Sequence, residues 1–65
     1  MIKTVIRSEN NMVMVFDEKG EQIPKYQGQY EAVKEKILKD APLDTIFGYF
    51  PDYEIELQII PKEEW

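Results

Sequence analysis

The sequence predicts a small α+β fold: an antiparallel sheet of four or five strands, in the order β-β-(β)-α-β-β, with one amphipathic helix packed on one face. Three observations carry that expectation. The stretch from Gly28 to Ala41, GQYEAVKEKILKDA, is the only one with a sustained helical period. The segments before and after it alternate with the period of two that strands require. Turn-forming residues, Asn10-Asn11, Gly20 and Pro51, stand between those segments where hairpins would reverse. A lone amphipathic helix must bury its apolar stripe on something, and strand-like neighbours make that something a sheet. The whole of residues 1–65 reads as a single compact α+β domain.

Each element follows in chain order. Ile2 to Arg7 sets Ile2, Thr4 and Ile6 against Lys3, Val5 and Arg7, the alternation of a half-buried strand rich in β-branched residues. Ser8 to Asn11 breaks it, and two asparagines that tolerate left-handed backbone favour a tight hairpin. Met12 to Phe16, MVMVF, is apolar on both faces and so belongs inside a sheet. A single helix covers only one face of a small sheet, so the other face of this strand requires a second cover, from loops or from another chain. Gly20 is placed to take the positive φ of a type I turn with a bulge. Gln22 and Ile23 make a short edge strand that Pro24 must end.

In the helix, Tyr30, Val33, Ile37 and Ala41 share one stripe with Leu38 at its edge, and Glu31, Glu35, Lys36, Lys39 and Asp40 point away. Gly28 serves as an N-cap, and Pro42 stops the helix at or near Asp40 because proline disfavours helical backbone in the residue before it. Thr45 to Phe50, TIFGYF, is a strand in which Gly48 marks a bulge or a close backbone approach. Phe50 to Tyr53 fits a type I turn with proline at its second position. From Glu54 to Ile60 the alternation is clean, with Ile55, Leu57 and Ile59 expected to face inward and Glu54, Glu56 and Gln58 to face water.

Composition excludes several function classes. Cysteine and histidine are both absent, which removes disulfides, thiolate nucleophiles and the usual zinc and haem ligands. Ser8 is the only serine, with no histidine to activate it, and the three glycines stand far apart at 20, 28 and 48. No catalytic, cofactor-binding or metal-binding residues are therefore expected, and the acidic turn at Asp17 to Glu21 lacks the alternating ligands of a calcium loop. The net charge of −5 combines 13 acidic with 8 scattered basic residues. That distribution argues against nucleic acid and against anionic membrane. No apolar run is long enough to span a bilayer, and a cytoplasmic location is expected.

What remains is aromatic density: Phe47, Tyr49, Phe50 and Tyr53 fall within seven residues. Aromatic side chains bury large area at low entropic cost and are enriched at protein interfaces. With the two-faced strand, they define the expected partner-binding set: Met12, Met14, Phe16, Phe47, Tyr49, Phe50 and Tyr53. The function expected from this pattern is a small soluble protein-interaction or accessory module without catalytic activity, bound to itself as a homodimer or to another protein. The alternative is a small-molecule or metal-binding domain, or a minor enzyme subunit, using Tyr26, Tyr49, Glu54 and Glu56.

Overall fold

The computed structural model describes residues 1–51 and 56–65. Among these, β1 (Ile2–Ser8), β2 (Met12–Asp17), β3 (Gly28–Gln29), α1 (Tyr30–Asp40), β4 (Ile46–Phe50) and β5 (Gln58–Ile60) follow in order, with single 3-10 turns at Pro24–Tyr26 and Lys62–Glu64. The strands form one sheet in the order β3-β2-β1-β4-β5. The fold is a small α+β arrangement, with the helix packed on the sheet. Three of the four strand pairings are antiparallel, whereas β1 and β4 run parallel. The sheet is thus mixed: two hairpins, β1-β2 and β4-β5, are joined side by side through the N-terminal strand, which becomes the central one.

Local chemistry explains most boundaries. Asn11 takes φ 63° in the β1-β2 turn, a conformation asparagine tolerates better than most residues, and its N–H donates to the Ser8 carbonyl at 3.0 Å. Gly20, at φ 82°, closes the next turn by donating to the Asp17 carbonyl at 3.0 Å, while the Asp17 N–H donates to the Glu21 carbonyl at 2.8 Å. The helix ends where Pro42 requires, with Ala41 already extended at ψ 128°.

Four expectations change. The N-cap is Gln29, not Gly28, because Gly28 and Gln29 are used as an edge strand pairing with Met12 and Val13. The edge strand expected at Gln22–Ile23 reduces to a single bridge between Gln22 and Phe16. In β1 the alternation inverts: Ile2 pairs with Asp17 and Thr4 with Phe16, so Lys3 is an extra residue, and the bulge brings Ile2 onto the same buried side as Val5. The fourth change concerns β5. Phe47 pairs with Ile60 and Gly48 with Ile59. Paired residues share a face, so burial of Phe47 turns Ile60 toward the helix and Ile59 away from it, leaving Ile59 66 % exposed. The turn expected at Phe50–Tyr53 and the strand positions Glu54 and Ile55 fall partly or wholly outside the described residues.

The core lies between sheet and helix. Val5, Val13, Val15 and Phe47 from the strands meet Val33 and Ile37 from α1. Complete burial of one such side chain contributes about 1.5–3 kcal/mol. The sixty-fifth residue closes this layer. Trp65 is 5 % exposed, its ring edge-on to Tyr30 and tilted against Phe47, each at 5.1 Å between centroids, and its indole N–H donates to the Gly48 carbonyl at 3.2 Å.

Candidate partner-docking face

The helix covers one side of the sheet. The register assigns the other side row by row, since paired residues point the same way. Phe16, Thr4 and Ile46 form one row, Met14, Ile6, Gly48 and Ile59 the next, and Ser8 with Phe50 a third, beside Met12. None of these side chains is charged. Met12 and Ile46 are 39 % and 42 % exposed, and the others apart from Ile59 and the buried Gly48 are half-buried. Leu57 leans over Gly48 on this side: a Cβ at position 48 would lie 2.9 Å from its Cδ1. The close approach expected at Gly48 is therefore made by Leu57. At one end of the face, Ser8, Asn10, Met12, Met14 and Phe50 line a groove of about 380 Å³. Its floor is apolar and rich in methionine, which adapts to differently shaped occupants because its thioether chain is unbranched and soft.

The residues expected to bind a partner divide by strand parity. Met12, Met14, Phe16 and Phe50 stand together on the open face. Phe47 does not: at 2 % exposure it is a core residue, because its position in β4 points to the helix. Tyr49 shares that side and lies against Arg7, and Tyr53 falls outside the described residues. Sequence reasoning missed Ile6, Ile46 and Ile59. Ile46 shares a face with Phe50 by spacing alone, but Ile59 could be placed only once the β4-β5 register was known.

The helix side holds a different cluster. The Arg7 guanidinium stands 4.4 Å from the Tyr30 ring centre and 4.9 Å from that of Tyr49, a cation held against two aromatic rings. Its Nη1 donates to the Trp65 carbonyl at 3.3 Å, and the Tyr30 hydroxyl donates to the same oxygen at 2.6 Å. Beside it a shallow hollow of about 470 Å³ runs between α1 and the tail, with Lys34, Lys62, Glu63 and Glu64 in its lining. Tyr26 donates its hydroxyl to Asp40 at 2.6 Å. That hydrogen bond to a carboxylate, reinforced by burial, raises the Tyr26 pKa above the usual phenol value. In the β2 turn, Asp17 accepts from the backbone N–H groups of Lys19 and Glu21 at 2.9 and 3.0 Å. The Glu21 contact is the largest cause of its lowered pKa.

Tyr26 and Tyr49, expected together under the ligand-binding alternative, engage different partners, Asp40 and Arg7. Glu56 is exposed, and Glu54 lies outside the described residues. Among the described residues no three acidic side chains converge as a metal site would need, and no helix is long and apolar enough to cross a membrane. No family model matches the chain, no curated protein matches it, and no solved structure matches it.

Proposed function

We propose that this protein is an interaction module that docks another polypeptide on its open sheet face and has no catalytic activity of its own. One observation carries the reading: the paired rows of the sheet face opposite α1, running from β2 across β1 and β4 to β5, hold no charged side chain among the described residues. Apolar surface of this continuity is uncommon on a chain that works alone, and where it occurs it marks an interaction site. The face also matches the anatomy of an interface centre, with aromatic and methionine side chains present and charge absent. Ser8, the one hydroxyl of its type, is tied into the hairpin turn by Asn10.

Paired substitutions test the reading. Met14→Glu puts a charge in the middle of the open face, and Val15→Glu puts one in the core. The first should leave helical circular dichroism and cooperative unfolding intact while abolishing binding of a hydrophobic dye. The second should unfold the chain, because a buried unpaired carboxylate costs several kcal/mol. Loss of the fold by Met14→Glu at every protein concentration would make Met14 a core residue and remove the docking face.

A further inference from the structure

The open face has an electrostatic frame, and the frame selects the occupant. The helix is balanced, with Glu31, Glu35 and Asp40 against Lys34, Lys36 and Lys39. The acidity of the chain is concentrated instead at the ends of the strands. Described carboxylates there are Glu9, Asp17, Glu18, Glu21, Asp44 and Glu56, against Lys3, Lys19, the Met1 amino group, which pairs with Glu18 at 3.4 Å, and Arg7, which is held on the helix side against Tyr30 and Tyr49. At one end of the sheet the charges are partly engaged, since Lys3 pairs with Asp44 at 3.4 Å and Asp17 turns into its own loop. At the other end, Glu9 and Glu56 are both exposed. They flank the same end of the sheet: Glu9 follows Ser8, which pairs with Phe50, and Glu56 stands two residues before Gln58, which pairs with Tyr49. The apolar groove of about 380 Å³ opens at this end, with Ser8 and Asn10, the neighbours of Glu9, in its wall.

We infer that the occupant is an amphipathic helix of another protein, with an apolar stripe flanked by lysine or arginine. The inference rests on the docking function proposed above and adds the chemistry of the partner. An apolar stripe matches the uncharged centre of the face, and one large side chain of that stripe fills the groove beside Phe50 and Met14. Basic flanks complement Glu9 and Glu56. A helix laid on this face gives the sheet a second layer opposite α1, covering both apolar sides of β2. A second copy of the chain fits less well, because face-to-face contact brings two acidic rims together.

The test uses the intact chain and two synthetic amphipathic peptides of about 18 residues, both with the same leucine and phenylalanine stripe, one flanked by lysine and the other by glutamate. Binding is read by fluorescence anisotropy at low and high salt. The lysine peptide should bind, with about tenfold weaker affinity at 0.5 M than at 0.05 M salt, and the glutamate peptide should bind more weakly at low salt. The double variant Glu9→Lys with Glu56→Lys should reverse the preference, and Met14→Glu should abolish binding of both peptides. Equal affinity for the two peptides, or no response to the double reversal, overturns the inference. So does a doubling of solution mass that excludes both peptides, which would give the face to a second copy. In these cases a folded Met14→Glu variant without dye binding still supports the docking function, whereas its unfolding removes that function as well.

Discussion

At the scale of single residues, Trp65 carries the most. It joins α1 through Tyr30, β4 through Phe47 and the Gly48 carbonyl, and β1 through Arg7. Trp65→Ala removes ring contacts and a buried hydrogen bond together, and the expected loss is about 3–5 kcal/mol in urea unfolding. For a chain this short that approaches its entire stability. Tyr26 gives a prediction of a different form. Its folded pKa is raised, so its contribution is complete below the pKa of the unfolded phenol, near 10, and is lost as pH rises through the folded value. Tyr26→Phe should lower stability by about 1 kcal/mol at neutral pH and flatten the alkaline fall in thermal midpoint. An unchanged alkaline slope in the variant would assign that fall to other groups. Neither role could be read from the sequence. Trp65 ends a charged tail with no periodicity, and the Tyr26–Asp40 bond spans 14 positions with no signal linking them.

At the scale of elements, the sequence was legible where a local rule acts. The helix stop at Pro42, the Asn11 and Gly20 turns and the apolar character of β2 all follow from neighbours in the chain. Replacing Gly20 with alanine tests one of these rules in isolation. Nothing lies within 4 Å of the position, so the expected cost of about 1–2 kcal/mol is that of left-handed backbone alone. A neutral result by chemical denaturation would mean that the turn relaxes. Rules of pairing were not legible. Alternation in the last strand identifies Leu57 and Ile59 as partners on one face, yet it does not say which face the helix covers. Only the register against β4 decides that, and it puts Ile59 outside. The same limit applied to Phe47, an aromatic residue assigned to the surface by density and to the core by parity. In β1 the bulge at Lys3 resets the parity, and no residue type at that position announces it.

At the scale of the whole molecule, an amphipathic helix supplies one cover and the sheet has two apolar sides. Light scattering over a hundredfold range of concentration tests the proposed balance between the apolar face and the carboxylates at its ends. The chain should remain monomeric when dilute in low salt, and its mass should rise as salt screens those carboxylates. A dimer that persists at every dilution and is indifferent to salt would show that the apolar contact dominates.

The position of Trp65 also bears on how the chain is made. The central strand, Ile2–Ser8, is synthesised before the other strands of the sheet and can pair at once with Met12–Asp17, but its other neighbour follows about forty residues later, and the indole that seals the layer comes later still. Until then a nascent chain presents valines of the future core on one side of its hairpin and methionines on the other. A ribosome carrying this unfinished chain thus holds a ribbon adhesive on both sides, a natural target for chaperones that bind exposed apolar segments.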